Sequence, residues 1–290
     1  MRRLRVGCVG LGMQGAPIAR RIIDAGYATT LYARRATTLD PFRTTGAAIA
    51  GTLRELGERC DLVAVCVMDD AQLEEVLLGD EAILAGMTSS NVGQSSRKVV
   101  VVHSTVHPNT VQRLAAHAVE LDVELLDAPV SGGPEAAEHG TLTVMVGGDP
   151  ATFERCVDVL ATFGDPVRLL GPVGSGQLAK LLNNLLFTAQ LALAYDTSTL
   201  ASALDLDAGA LSEVLLRGSA RSYALEVWSN AGSLNALAAL AGPRLEKDVG
   251  LMRDVAATAQ PGSTLALDAA QQTIELFDDA RRRAEATSTE

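Results

Sequence analysis

A lysine and an asparagine lie four residues apart in the stretch 171–184, which reads GPVGSGQLAKLLNN. The glycines predict a turn, and the apolar residues after them predict a long helix over about 175–204. Residues four apart share one helix face, so Lys180 and Asn184 are expected to reach the same small molecule. A lysine brought towards neutrality by burial can exchange a proton with a substrate, which predicts that Lys180 is a catalytic acid/base. The alternative is that Lys180 extends to solvent from the first turn of the helix.

A second glycine-rich turn, GLGMQG at 10–15, lies between an apolar run at 4–10 and a helix predicted over 16–25. Its spacing is Gly-x-Gly-x-x-Gly: the first glycine makes the turn, the second lets the backbone approach a pyrophosphate, and the third permits close helix packing. The helix N-terminus would donate N–H groups to the phosphates. The predicted cofactor contacts are therefore Gly10, Leu11, Gly12, Met13, Gln14 and Gly15.

Two arginines follow the next predicted strand, 28–33. A site for NAD usually has a carboxylate here, which accepts hydrogen bonds from the ribose hydroxyls. Arg34 and Arg35 instead suit a 2′-phosphate, because guanidinium groups pair with phosphate in a bidentate manner. The sequence favours NADP over NAD, with the alternative that the arginines only solvate a loop.

Further β-branched runs at 62–68, 99–102 and 123–127, and a strand predicted over 140–148, indicate a doubly wound, mostly parallel sheet. Ligands of such sheets lie beyond the carboxyl ends of the strands, so the segments from Met68 to Asp70 and from His103 to Thr105 are expected to border the cofactor. The cofactor contacts predicted here are Val67, Met68 and Thr105. The segment 88–98 is predicted to be a surface loop, and Asp149 is predicted to cap a helix over 150–163.

A Ser-Gly-Gly-Pro sequence at 131–134 follows the strand at 123–127. Consecutive N–H groups in such a turn can bind a carboxylate, so Ser131, Gly132 and Gly133 are candidates to hold an acidic substrate. The alternative is that the segment is simply a loop.

The pattern changes after Pro172, where helices are predicted over 175–204, 207–217, 220–230, 234–239, 243–259 and 263–285. We therefore predict an α/β architecture: a Rossmann-type NAD(P)-binding domain at 1–171, then an all-α substrate and oligomerisation domain at 172–290, begun by a long interdomain helix. The charged tail from Asp278 to Glu290 is expected to fray.

A net charge of −11 leaves no basic surface for nucleic acid or an anionic membrane. The four cysteines form no Cys-x-x-Cys pair, and we assign no metal site. The N-terminal apolar run is broken by glycines, unlike a signal peptide. We expect a soluble cytoplasmic protein with no membrane partner, and a homodimer or homotetramer formed through alanine-rich helices.

Together these motifs resemble the β-hydroxyacid dehydrogenase family of the 6-phosphogluconate dehydrogenase superfamily, the group that contains 3-hydroxyisobutyrate dehydrogenase and tartronate semialdehyde reductase. The resemblance covers nearly the whole chain. It rests on the segments GLGMQG (10–15), Ser104-Thr105, DAPVSGG (127–133), GTLTVMVGG (140–148), GSGQLAKLLNN (174–184) and Lys247-Asp248.

The resemblance implies that Lys180 is the catalytic lysine, that Asn184 binds substrate, and that Thr105 and Lys247 border the nicotinamide. The expected substrate is a small carboxylate: a β-hydroxy acid or its semialdehyde. Gln14, His103 and His107 depart from the usual family pattern, and either histidine is a proton relay or a loop residue.

Two other functions remain open from the sequence. An imine reductase has a similar architecture but generally lacks the lysine and the Ser-Gly-Gly segment. A non-catalytic dinucleotide-binding scaffold would have lost the lysine, so Lys180 and Asn184 argue against both.

Overall fold

The computed structural model describes residues 3–89, 97–259 and 264–287. Most of the loop predicted over 88–98, and the last three residues of the charged tail, lie outside these ranges. Contacts divide the chain into one unit from Met1 to Lys180 and a second from Leu181 to Glu290. This division falls later than the domain boundary predicted after residue 171, which stays a prediction.

The described residues of the first unit contain a nine-stranded, mostly parallel sheet in the order β3-β2-β1-β4-β5-β6-β8-β7, with β9 paired to β8. Strands β1 to β6 pair in parallel with their neighbours, whereas β8 runs antiparallel to β6 and β7 and parallel to β9. The strands are β1 (Val6–Val9), β2 (Thr29–Tyr32), β3 (Ala48–Ile49), β4 (Leu62–Val65), β5 (Lys98–Val102), β6 (Val123–Asp127), β7 (Val130–Ser131), β8 (Leu142–Gly147) and β9 (Gly164–Gly171).

Helices cover both faces of this sheet, because alternate side chains along its central strands enter two separate apolar clusters. Val99 and Val101 belong to one cluster, and Val100 and Val102 to the other. The helices are α1 (Gly15–Asp24), α2 (Leu53–Arg59), α3 (Asp70–Leu77), α4 (Ile83–Ser89), α5 (Pro108–Glu120), α6 (Gly133–His139) and α7 (Pro150–Leu160), with a 3₁₀ turn at Ala36–Phe42. Asp149 caps α7 as predicted, accepting a hydrogen bond from the backbone N–H of Thr152.

The second unit is helical throughout its described residues, and a third apolar cluster forms its core. Its helices are α8 (Ser175–Ala203, which begins in the first unit), α9 (Ala208–Arg217), α10 (Tyr223–Ala231), α11 (Leu234–Ala259) and α12 (Leu265–Thr287). The predicted fold class, a Rossmann-type sheet domain followed by an all-α domain that a long helix begins, is confirmed.

Three details of the predicted helices and strands are wrong. The helices predicted over 234–239 and 243–259 are one helix, α11, with Pro243 inside it. The helix continues because Leu237 and Leu245, on either side of Pro243, are both buried in the same core, while Ala239 and Pro243 face solvent where water can satisfy the freed carbonyl. Strand β9 was not predicted, and within the tail that was expected to fray, residues 278–287 belong to α12, which ends two residues beyond the predicted helix end at 285.

Candidate active site

The turn between β1 and α1 is built around its glycines. Gly10 has a φ of +84°, and a Cβ there would lie 2.1 Å from the carbonyl oxygen of Cys66. A Cβ at Gly15 would lie 2.1 Å from the carbonyl oxygen of Gly10. At Gly12 a Cβ would meet nothing within 4 Å, so the backbone is open to solvent at the position where a pyrophosphate would approach. The first and third glycines therefore serve packing, and the second leaves room for a ligand.

No side chain among the described residues caps the start of α1. Gln14 at the N-cap forms no side-chain capping hydrogen bond, and the first turn has no acidic residue. Its amide nitrogen Nε2 is buried and lacks a hydrogen-bond partner among the described residues. Leu11 is buried in the core below the turn, whereas Met13 is exposed. These residues fit a dinucleotide, because the positive end of the helix dipole suits phosphate oxygens and no acidic side chain lies in the first turn to repel them.

Arg34 and Arg35 follow β2 and are both exposed. Within the described part of the chain, neither guanidinium takes part in an ion pair, and no acidic residue follows the strand directly. Both side chains are therefore available to an anion.

The segments after β4 and β5 are tied to each other at the same edge of the sheet. The backbone N–H of Val67 donates to Oγ of the buried Ser104 at 2.8 Å. Thr105, the next residue, is half-buried, and Met68 is exposed. The three residues predicted to border the cofactor, Val67, Met68 and Thr105, thus follow neighbouring parallel strands.

Two histidines lie near this edge, and each contacts the backbone through its Nδ1. His103 is buried, its Nδ1 lies 2.8 Å from the carbonyl oxygen of Ala128, and its ring stands edge-on to Phe163. Burial lowers the pKa of the His103 imidazole to about 4, so the ring is neutral at physiological pH. His107 caps α5, where its Nδ1 accepts from the backbone N–H of Asn109 at 3.1 Å. Each ring therefore makes a contact with the backbone, and Nε2 of His103 is buried without a hydrogen-bond partner among the described residues.

The substrate-carboxylate candidates lie where β7 meets α6. Ser131 ends β7, Gly132 has a φ of +134°, and Gly133 begins α6 with a φ of +77°. A Cβ at Gly132 would lie 2.6 Å from the Cβ of Ala136, while at Gly133 it would meet nothing within 4 Å. Two successive glycines with positive φ give a backbone turn that other residues would adopt only with strain.

Asp127, at the end of β6, anchors the beginning of α8. Its side chain is fully buried, with Oδ1 accepting from the backbone N–H of Gly174 at 2.7 Å and Oδ2 from that of Gln177 at 2.8 Å. Burial raises the pKa of this carboxyl, and the amide donors oppose the shift. Lys180 follows on the next turn of α8 and is half-buried.

In the second unit, Asn184 belongs to a network of polar side chains. Its Nδ2 donates to Oδ2 of the buried Asp248 at 2.6 Å, and its Oδ1 accepts from Nδ2 of Asn183 at 3.0 Å. Nζ of Lys247 lies 3.0 Å from the other carboxylate oxygen of Asp248. Lys247, predicted to border the nicotinamide, is thus paired with Asp248.

The chain matches two family models that together span most of its length. Residues 5–171 match the NAD binding domain of 6-phosphogluconate dehydrogenase, and residues 174–289 match the NAD-binding domain of NADP-dependent 3-hydroxyisobutyrate dehydrogenase. The chain belongs to the β-hydroxyacid dehydrogenase family. It is an NAD(P)-dependent oxidoreductase of CH–OH groups, as predicted.

Individual relatives of this β-hydroxyacid dehydrogenase include enzymes with different named substrates. The NAD-dependent L-serine dehydrogenase of Pseudomonas aeruginosa is 31% identical over 274 residues, covering 91% of this chain and 90% of the relative. The 2-hydroxy-3-oxopropionate reductase of Escherichia coli is 33% identical over 227 residues, or 77% and 74% of the two chains. The crystal structure of 3-hydroxyisobutyrate dehydrogenase from Salmonella typhimurium is 26% identical, with a TM-score of 0.76 over 96% of this chain and 94% of that one.

Three polar residues of this β-hydroxyacid dehydrogenase were not predicted to have a role: Asp127, Gln177 and Asp248. Asp127 was detectable as an acidic residue at the end of a strand of buried type, where an unpaired charge is costly. Gln177 and Asp248 lie inside motifs that had been recognised, but the partners of their side chains are distant in sequence. Among the described residues, no group of three or more His, Cys, Asp or Glu side chains could hold a metal ion, and no helix is both long and apolar enough to cross a membrane.

Proposed function

We propose that this enzyme interconverts a small β-hydroxy acid, of the 3-hydroxyisobutyrate type, and its semialdehyde or keto acid. The observation that carries the proposal is α8, which bears Lys180 and Asn184 four residues apart after a start anchored by the buried Asp127. Asn184 is itself held by the buried carboxylate of Asp248, so its amide is fixed before substrate arrives. An acid/base and an amide on one helix face suit a substrate oxygen that gains or loses a proton.

The proposed roles follow from the chemistry of a β-hydroxy acid. Ser131, Gly132 and Gly133 hold the carboxylate through the serine hydroxyl and backbone N–H groups. Lys180 takes the hydroxyl proton during oxidation, or gives a proton to the carbonyl oxygen during reduction. Asn184 holds that oxygen. With the carboxylate fixed, the reacting carbon has one orientation, and positioning supplies much of the rate enhancement.

The proposed cofactor is NADP in preference to NAD, and its nicotinamide supplies or accepts the hydride. The open backbone at Gly12 and the uncapped start of α1 support a pyrophosphate there. Arg34 and Arg35 would pair with the 2′-phosphate, while Thr105 and Lys247 would border the nicotinamide. Arg34 and Arg35 resemble the NADP-preferring members of the family, several of which reduce semialdehydes, so we favour reduction of the semialdehyde.

The test is a panel of β-hydroxy acids, their semialdehydes and cyclic imines with NADP, NADPH, NAD and NADH, followed by absorbance at the reduced nicotinamide band. We expect turnover with a carboxylate-bearing hydroxy acid or semialdehyde. Reduction of imines alone would favour an imine reductase. Tight NADPH binding without turnover of any compound would favour a scaffold.

The role of Lys180 is tested by Lys180→Met on the best substrate. We expect kcat to fall by at least about 10²-fold, because a positioned acid/base contributes about 10² to 10⁴. NADPH affinity, measured by fluorescence quenching, should stay unchanged. Retained turnover would refute the assignment of Lys180.

We also propose a cytoplasmic homodimer or homotetramer that forms through the helical residues 172–290. Four free cysteines support a reducing compartment. Exposed leucines along α8 support a partner of the same chain: Leu182, Leu186, Leu193 and Leu200.

A further inference from the structure

The first turn of α8 is packed directly against the backbone of the sheet. A Cβ at Gly176 would lie 2.3 Å from the carbonyl oxygen of Met145, and one at Gly147 would lie 2.4 Å from Oδ1 of Asp127. No side chain can separate β6, β8 and α8 at this junction. The carboxylate of Asp127 fills the space between them and accepts two amides of α8, so the helix start has little freedom to shift.

Gln177 ties the same turn to a different segment. Its side chain is fully buried; Oε1 accepts from the backbone N–H of Val106 at 3.0 Å, and Nε2 donates to the carbonyl oxygen of Ser104 at 2.9 Å. These two backbone groups flank Thr105, so both sides of that residue are fixed to α8. The amide of glutamine is matched here on its donor and its acceptor side, which a carboxylate or an apolar side chain cannot reproduce.

Gln177 precedes Lys180 by three residues, so the two side chains lie on neighbouring positions of one helix face. We infer that Gln177 and Asp127 are positioning residues that set the distance and orientation of Lys180 relative to the segment around Thr105. This inference rests on the proposed function, in which Lys180 exchanges the substrate proton and Thr105 borders the nicotinamide. A displacement of about 1 Å at a reacting group costs on the order of 10²-fold in rate. The two hydrogen bonds of Gln177, one helical turn before Lys180, prevent such a displacement.

The test is Gln177→Met, which keeps the length of the side chain and removes both hydrogen bonds. The variant is loaded with NADPH and mixed with excess carbonyl substrate in a stopped-flow instrument. We expect the single-turnover rate constant for NADPH oxidation to fall about 10- to 100-fold. The amplitude and the NADPH dissociation constant should stay within about threefold of the parent, because the glycine turn and Arg34 are untouched.

The amplitude separates positioning from stability. A variant that is merely less stable loses competent enzyme, so its amplitude falls while its rate constant stays at the parent value, and that result would overturn the inference. Gln112→Met is the matched control, since Gln112 is exposed and, among the described residues, its side chain donates only to the carbonyl oxygen of Val173, just before α8. Its rate constant should equal that of the parent. A fall as large as that of the Gln177 variant would assign the effect to the turn as a whole and contradict a specific role for Gln177.

Asp127→Asn provides a second variant, in which one oxygen acceptor becomes an amide donor facing an N–H. We expect the same fall in rate constant; if this variant does not fold, the Gln177 result decides. Lys180→Met, measured in parallel, separates the two proposals. If the Lys180 variant is active, the proposed mechanism is wrong. If the Lys180 variant is inactive and the Gln177 variant has the rate constant of the parent, only the positioning inference is wrong.

Discussion

Arg34 and Arg35 occupy the position at which dinucleotide enzymes distinguish their two cofactors. Both follow β2 and are exposed, and neither is neutralised by an ion pair within the described residues. A guanidinium in this position gains a charge-assisted hydrogen bond only when the ribose carries a 2′-phosphate. Cofactor preference should therefore depend on these two side chains.

We expect Arg34→Asp to raise the KM for NADP by about 10- to 100-fold, because hydrogen bonds between charged groups contribute roughly 1.5–3 kcal/mol. The KM for NAD should stay constant or fall, since a carboxylate there can accept from the ribose hydroxyls. Steady-state kinetics with both cofactors measure the change. Arg168→Asp, at an exposed arginine of β9, makes the same change in net charge and should leave both KM values as they are. Equal KM values for NADP in the parent and the Arg34 variant would contradict the preference.

At the scale of single elements, the C-terminal end of α2 is hydrogen-bonded to a buried lysine. Lys98, the first residue of β5, is fully buried, and its Nζ donates to the carbonyl oxygens of Gly57 and Glu58 at 2.8 and 3.2 Å. Burial lowers the pKa of the Lys98 ammonium. The last carbonyls of α2 lack partners within the helix, and a cation at a helix C-terminus also interacts favourably with the dipole.

Lys98→Met should lower the free energy of unfolding by about 2–4 kcal/mol, because it leaves the buried carbonyl of Gly57 and the part-buried carbonyl of Glu58 without this donor. Urea denaturation followed by circular dichroism gives this difference. Arg97→Met removes a neighbouring surface cation that pairs with Asp122, and it should cost no more than about 1 kcal/mol. Similar losses in the two variants would show that Lys98 is not a helix cap.

Elements with a strong local pattern could be predicted from the sequence. The glycine spacing predicted the turn after β1 and the helix α1, and the apolar runs predicted the central strands. Strand β9 could not be predicted in this way, because it lies at the sheet edge, and its exposed Asp165, Pro166 and Arg168 interrupt any apolar pattern. Pro243 predicted a break in α11 that the tertiary packing of that helix overrides.

In the candidate site, prediction from the sequence was limited to residues that are close together in the chain. Lys180 and Asn184 could be identified together because four residues separate them on one helix. Asp127 could not be connected with Gln177, because its partners lie 47 and 50 residues away and the contact exists only once the sheet has formed. Spacing in the sequence therefore predicts which residues share a helix or strand. The residues that hold a helix or strand in place can be identified only from the structure.

At the scale of the whole molecule, α8 has an exposed apolar face. Leu182, Leu186, Leu193 and Leu200 follow one another at intervals of four and seven residues, so they form one stripe along the helix. Each has more than half of its surface exposed, between 55 and 61%. A continuous stripe of this kind is typical of a surface that a protein partner covers, which supports the proposed oligomer.

The double substitution Leu186→Glu with Leu193→Glu should shift the protein from a dimer or tetramer to a monomer at micromolar concentration. Sedimentation velocity measures the species present. Leu265→Glu, at an exposed leucine that belongs to α12 and not to the stripe on α8, should leave the oligomer intact. A monomeric parent protein would refute the oligomer, and an unchanged double variant would exclude this stripe as the interface.

The anchoring of α8 by Asp127 has a consequence for exchanging parts between enzymes of this family. A chimera joined at residue 171, where the amino-acid pattern changes, would take Asp127 from one parent and Gly174 and Gln177 from the other. A crossover placed after Lys180 inherits the carboxylate, both of its amide partners and the lysine as one block. Recombination that exchanges the helical half should therefore cut within α8 rather than in the turn before it.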